Sequence, residues 1–133
     1  MASKKQRIAG WIVSGIIALL LIGPSAGSKF ANWEGKEAGF AKLGFTTDLM
    51  FKIGVLEVVI AVLYLIPRTS FLGAILLTGY LGGATVTHLR VDEPFFGPLI
   101  IGVVMWIGCA LRKPEIFRLV TGSGCDRSQT PAA

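Results

Sequence analysis

Four long runs of apolar residues constrain the fold of this 133-residue chain more than any other feature. They cover about residues 8–27, 49–66, 70–88 and 95–111, and the first run carries no charged side chain. A run of roughly 20 apolar residues is long enough to cross the hydrocarbon core of a bilayer as a helix. We therefore predict an all-α membrane protein with four transmembrane helices, whose first partner is the lipid bilayer.

The composition is typical of a chain that exposes little surface to water. Hydrophobic residues make up 53% of the chain and charged residues 16%, whereas soluble domains carry about 25% charged residues. The net charge of +5 arises from Lys and Arg residues that flank the apolar runs. A nucleic-acid site needs a basic stripe with interleaved aromatics, which this sequence lacks, so nucleic acid is not expected as a partner.

Short connections between the runs predict how the helices are arranged. Pro67-Arg68-Thr69 and the polar residues 90–94 are brief turns, which make consecutive helices antiparallel neighbours. The longer stretch 28–48 is interpreted either as a loop with a short interfacial helix or as an irregular connector. An antiparallel four-helix transmembrane bundle over residues 1–118 follows, with a polar, disordered cytoplasmic tail at 119–133.

The distribution of Lys and Arg predicts the orientation, because these residues are enriched in cytoplasmic segments. With the N-terminus inside, the cytoplasmic segments hold Lys4, Lys5, Arg7, Arg68, Arg112, Lys113, Arg118 and Arg127. The outer segments hold Lys29, Lys36, Lys42 and Arg90. This asymmetry favours a cell inner-membrane protein with both termini in the cytoplasm.

Small residues in the third run predict close helix packing. Lipid provides no hydrophobic drive for helices to associate, so transmembrane helices pack through small side chains. Gly79 and Gly83 form a GxxxG pair, with Gly82 beside them. We interpret these glycines as contacts within the bundle rather than as a dimer interface.

Ionisable residues at membrane depth are the candidate functional residues, because each is costly to insert. Glu57 lies at the midpoint of the second run, roughly 12 Å from either boundary by helical rise. It therefore needs a partner from another helix, or it stays protonated. Tyr80 and Thr85 are the candidate hydrogen-bonding neighbours, and Lys52, His88 and Arg90 lie toward the outer face.

These residues support two interpretations. In the first, Glu57, His88, Arg90 and Lys52 line a pocket toward the outer leaflet that holds the oxygens of a quinone head group and relays protons. In the second, they form an interhelical polar clamp that fixes the bundle. No intrinsic cofactor and no metal site is expected, since one histidine and no Cys/His/carboxylate group with ligand spacing are present.

Several segments resemble the DoxX-like membrane proteins. They are Gly54-Val55-Leu56-Glu57, Ile66-Pro67-Arg68-Thr69, Gly82-Gly83-Ala84 and Thr87-His88-Leu89-Arg90, and the likeness covers about residues 8–118. The resemblance implies a four-helix integral membrane protein. It also points to a set of residues, which are Glu57, Pro67, Arg68, Gly82, Gly83, His88 and Arg90.

The resemblance leaves several functions open. The family takes its name from a subunit associated with thiosulfate:quinone oxidoreductase, and more distant relatives act in amine dehydrogenase maturation or receptor assembly. The first hypothesis is a redox-associated subunit or a small quinone-binding protein. The alternatives are a non-catalytic accessory or assembly factor of a larger membrane complex, and a homo-oligomeric channel or carrier.

Overall fold

The computed structural model describes residues 2–122, and within them it is built from helices. Helix α1 spans Lys4–Phe30 and contains a π-helical segment, Leu21–Ala26. The others are α2 (Lys36–Lys42), α3 (Thr47–Leu65), α4 (Ser70–Arg90), α5 (Phe96–Arg112) and α6 (Pro114–Val120). The predicted all-α class is confirmed.

The four long helices pack in a ring. Helix α1 lies against α5, α5 against α4, and α4 against α3. Helix α3 closes the ring mainly through the π-helical segment and the last turn of α1. We name the two ends of the bundle. The basic end contains the start of α1, the 66–69 turn and the α5–α6 junction. The loop end lies opposite and contains α2 and the 91–95 loop.

Helices α1 and α4 are long and apolar enough to cross a membrane, and the pair α5 and α6, bent by 106°, qualifies as a third span if it is counted as one. Helix α3 carries three charged residues, Asp48, Lys52 and Glu57, and it is not among the candidate spans. Two or three candidate spans are thus found within residues 2–122, and the four crossings stay a prediction.

Helix α1 is longer than the predicted 8–27, and the reason is local. Pro24 lacks an N–H and would normally end or kink an α-helix, but it lies inside the wider π-helical turn. Such turns are frequent at functional sites. The helix therefore continues past Pro24 and includes Lys29, which the sequence had suggested was in the outer loop.

The C-terminal region also differs from the prediction. Helix α6 reaches Val120, so the ordered chain passes the expected boundary at residue 118. Residues 123–133, with Cys125, Arg127 and most of the predicted disordered tail, lie outside the described residues. Cys109 is a free cysteine buried in the core.

A polar cluster around Tyr64 joins three helices at the basic end. The Tyr64 hydroxyl lies 3.0 Å from Ser14 Oγ and donates to the Met105 carbonyl at 2.8 Å. Arg112 Nη2 donates to the Tyr64 carbonyl at 2.8 Å. These contacts satisfy buried polar groups on α1, α3 and α5 at once, which stabilises the mutual positions of the three helices.

The glycines with the closest interhelical contacts lie outside the GxxxG pair of α4. A Cβ added at Gly73 would lie 2.4 Å from the Tyr64 nitrogen, and one at Gly10 would lie 2.8 Å from the Arg112 nitrogen. At Gly79, Gly82 and Gly83 an added Cβ meets no heavy atom within 4 Å. The prediction that these three pack against another helix of the chain is therefore wrong.

Candidate functional site

A cavity of about 600 Å³ lies at the loop end, between the four long helices and the chain around α2. Ligand pockets commonly measure about 300–1,000 Å³, so its size suits a small molecule. Most of the lining is apolar, with Leu21, Ile53, Leu56 and Ile101 among its residues. Gly79 and Gly83 also line it, which explains their open surroundings: they leave room in the cavity.

The polar corner of this cavity is built around Glu57, whose side chain is fully buried. Lys29 Nζ lies 2.7 Å from Glu57 Oε2, and the Ser25 hydroxyl donates to Glu57 Oε1 at 2.6 Å. Lys29 also donates to the Ser25 carbonyl at 3.1 Å. Each carboxylate oxygen thus has a partner, which is the condition under which a buried charge is tolerated.

Local structure explains why Lys29 can pair with Glu57. It lies in the last turn of α1, where the carbonyl ends of the helix dipole favour a cation. Gly54, one turn before Glu57 on α3, lies against Phe30 and the Lys29 Cβ. The small residue on α3 therefore lets the end of α1 approach closely enough for the lysine to reach the carboxylate.

Sequence reasoning expected a partner for Glu57 from another helix but did not identify Lys29. Lys29 follows Pro24 and an apolar run, so it was assigned to the loop. Ser25 and Lys29 are four residues apart, and they share a helix face only if the helix continues past Pro24. This spacing is the sequence feature that could have identified Lys29. Ser25 lies inside the predicted first run, and its role becomes visible only when Lys29 is placed on the same helix.

The two expected neighbours of Glu57 on α4 differ in position. Tyr80 lines the cavity together with Glu57. Thr85 instead donates its hydroxyl to the Leu81 carbonyl of its own helix at 2.8 Å, and it is not among the cavity-lining residues. The expectation that Thr85 is a hydrogen-bonding neighbour of Glu57 is corrected accordingly.

His88 lies at the mouth of the cavity, where it joins a second polar cluster. Its Nδ1 is 3.1 Å from Glu93 Oε2, and Lys42 Nζ is 2.7 Å from Glu93 Oε1. Asp92 adopts a positive φ of 54°, a conformation that Asp tolerates better than most residues. This turn brings the chain back, so that the Glu93 N–H bonds the His88 carbonyl at 3.0 Å.

The structure places Lys52 and Arg90 outside the cavity. Lys52 pairs with Asp48 at 2.7 Å, and both side chains are exposed. Arg90 is exposed at the last position of α4. Of the six predicted pocket residues, Glu57, Tyr80 and His88 are therefore brought together around the cavity, whereas Lys52, Arg90 and Thr85 are not.

The segment around α2 covers the cavity. Phe40, Leu43 and Phe45 from this segment line it, and Trp33 packs edge-on against Phe40 at a centroid distance of 6.1 Å. The helix interpretation of the 28–48 stretch is the one observed. Lys42, at the end of α2, connects this cover to the 91–95 loop through Glu93, and we call the Lys42–Glu93–His88 cluster the latch.

The latch is expected to weaken in acid. Hydrogen bonds from Lys42 and His88 lower the pKa of Glu93 below its ordinary value of 4.5. A lowered carboxyl pKa gives stability that is complete above 4.5 and is lost as the pH falls through the lower, folded-state value. Native-state hydrogen exchange should show protection of the α2 amides falling roughly threefold to tenfold over this range.

Two variants distinguish the loss of the latch from other effects of low pH on the protein. Glu93→Gln should show the reduced α2 protection already at neutral pH and little further change in acid. Asp92→Asn removes a neighbouring carboxylate that makes no ion pair within residues 2–122, and should behave like the unmodified protein. Equal behaviour of the two variants would contradict the latch.

Comparison with known proteins identifies the family of this chain. A family model described as the DoxX-like family matches residues 12–111, which include Glu57, His88 and both helices that supply them. The chain belongs to the DoxX-like family. Searches of the curated proteins and of the solved structures each found no match.

In this DoxX-like protein the loop-end cavity is lined by a small set of polar groups and by apolar walls. A carboxylate, an ammonium and a phenol lie at one end, an imidazole at the mouth, and apolar walls between them. Among residues 2–122 no three His, Cys, Asp or Glu side chains could hold a metal ion together. The arrangement suits a molecule with a polar head and an apolar body, since hydrogen bonds orient the head and burial stabilises the body.

Proposed function

We propose that this protein is a small, redox-associated membrane protein that binds a quinone-like molecule in the loop-end cavity. The observation that carries the proposal is the Lys29–Glu57–Ser25 cluster, with Tyr80 beside it, at the closed end of an otherwise apolar cavity. A quinone has carbonyl oxygens that accept hydrogen bonds, and the Tyr80 hydroxyl in the lining carries a donor. Lys29, whose Nζ donates to Glu57 and Ser25, supplies positive charge at the same end. Its ring and tail are apolar, as the walls are.

The same proposal includes the orientation in the membrane. Helices α1, α3, α4 and α5 each cross the inner membrane, with the basic end in the cytoplasm and the loop end outside. Support comes from Arg7, Arg112 and Lys113, which lie together at the basic end. Labelling of single engineered cysteines with a membrane-impermeant thiol reagent in whole cells tests this: position 34 should react and position 5 should not.

Ligand binding is tested by filling the cavity at one glycine and leaving its neighbour as a control. Gly83→Leu places a bulky side chain in the cavity, while Gly82→Leu places the same side chain on the exposed face of α4, outside the cavity. Both positions have open space around an added Cβ. Folding should therefore be retained in both variants.

The measurement is calorimetric titration of decylubiquinone and of menadione into the protein in lipid nanodiscs. We expect Gly83→Leu to weaken binding at least about tenfold, or 1.4 kcal/mol, and Gly82→Leu to leave it nearly unchanged. Lys29→Gln and Tyr80→Phe should weaken it as well. Absence of binding by the unmodified protein would remove the quinone proposal, and the accessory role in a larger complex would then be the better hypothesis.

A further inference from the structure

A second cavity, of about 890 Å³, lies at the basic end between the start of α1, the start of α4 and helix α6. Three cationic residues line it, Arg7, Arg112 and Lys113, together with apolar side chains that include Phe71 and Ile116. It shares no lining residue with the loop-end cavity. The two cavities are therefore separate sites.

The charge of this cavity is not balanced by the protein. Glu115 is the one acidic residue in its lining. Within residues 2–122, neither Arg7, Arg112 nor Lys113 makes an ion pair with a carboxylate; the four ion pairs found there involve other cations. Three cations around one cavity repel each other, and a bound anion would relieve that repulsion.

Arg112 is the fixed part of the cluster. Its guanidinium carbon lies 4.6 Å from the centre of the Trp11 ring and 4.8 Å from that of Tyr64, and Nη2 donates to the Tyr64 carbonyl. The residue is only 8% exposed, and its Nη1 has no hydrogen-bond acceptor among the described residues. This buried charge lies behind the lining and adds to the positive potential of the cavity.

Helix α6 adds apolar side chains to the lining of this basic cavity. The chain bends by 106° at Lys113, and Phe117 packs edge-on against Trp106 of α5 at 6.0 Å. Leu119 and Val120, at the end of α6, line the cavity and are 75% and 78% exposed. A short helix that turns across the bundle with exposed apolar side chains is typical of the membrane interface.

We propose that the basic-end cavity binds the phosphate group of an anionic phospholipid. Arg7 and Lys113 supply the donors for the phosphate oxygens, and the buried charge of Arg112 behind them adds to the attraction. Phe71, Ile116 and Leu119 contact the lipid chain below the phosphate. A zwitterionic lipid offers the same phosphate but carries its own cation, which the three side chains repel.

The experiment compares lipids bound to the full chain purified in detergent. Dioleoyl phosphatidylglycerol, dioleoyl phosphatidylcholine and inorganic phosphate are added at equal ionic strength, and retained ligand is counted by native mass spectrometry. Phosphatidylglycerol should bind at least about tenfold more tightly than phosphatidylcholine, and it alone should raise the thermal unfolding midpoint. An equal shift with inorganic phosphate would replace the lipid by a soluble phosphate compound and contradict the proposal.

Matched charge variants localise the site. Arg7→Gln removes an exposed side chain, so folding is retained. Lys113→Gln is the second variant, and it also removes the hydrogen bond from Lys113 Nζ to the Pro67 carbonyl. Both should lose the preference for phosphatidylglycerol, whereas Lys4→Gln and Arg118→Gln, which lie outside the cavity lining, should keep it. If all four variants weaken binding equally, the attraction is one of diffuse charge and the site is disproved.

Discussion

Replacing Lys29 with methionine is expected to destabilise the protein by about 3–5 kcal/mol, the usual cost of breaking a buried ion pair from one side. Glu57 then remains fully buried with Ser25 as its one hydrogen-bond donor of those described above. A buried carboxylate that has lost its counterion is the reason for this large cost.

The measurement is reversible unfolding in mixed micelles with increasing dodecyl sulfate. Lys52→Met is the matched control, because Lys52 lies on α3 in an ion pair with Asp48 that is exposed on both sides. Exposed pairs contribute about 0–1 kcal/mol. Adding Glu57→Gln to Lys29→Met should recover most of the stability, since no buried charge is left. Equal losses in the two single lysine variants would contradict the role given to the pair.

The sequence could predict Glu57 as the centre of the site, because an acid in the middle of an apolar run usually faces the interior of the bundle. His88 followed from the antiparallel arrangement, which brings the end of α4 near the same side of the bundle. Lys29 could not be predicted in the same way. Its place depends on whether the helix continues beyond the predicted end at residue 27. That depends on the π-helical turn around Pro24, for which there is no local sequence rule.

The glycines show a second limit. A GxxxG spacing places Gly79 and Gly83 on one face of α4, but spacing does not say what that face meets. The structure puts both glycines at the loop-end cavity, while Gly73, outside the motif, contacts the backbone of α3. Which face of a helix meets a neighbour is decided by the positions of the other helices, and these are set by contacts distant in the sequence.

Gly73→Ala is expected to be the most disruptive of the glycine substitutions on α4. The added Cβ would lie 2.4 Å from the Tyr64 nitrogen, 2.5 Å from its Cα and 2.7 Å from the Leu63 carbonyl carbon. All three are backbone atoms, so no side-chain rotation can relieve the clash, and α3 and α4 must move apart. Overpacking of this kind costs about 1–3 kcal/mol and occasionally more.

The separation would also reach α5, because the backbone of Tyr64 is where Arg112 is held. A shift of Tyr64 lengthens the bond from Arg112 Nη2 to the Tyr64 carbonyl and loosens the stacking of the guanidinium on the Tyr64 ring. Gly82→Ala, on the same helix in open space, instead gains helix propensity of up to about 1 kcal/mol. The two variants should thus change the unfolding free energy in opposite directions. A loss at Gly73 no larger than the change at Gly82 would show that the α3–α4 contact is not what holds Tyr64 and Arg112 in place.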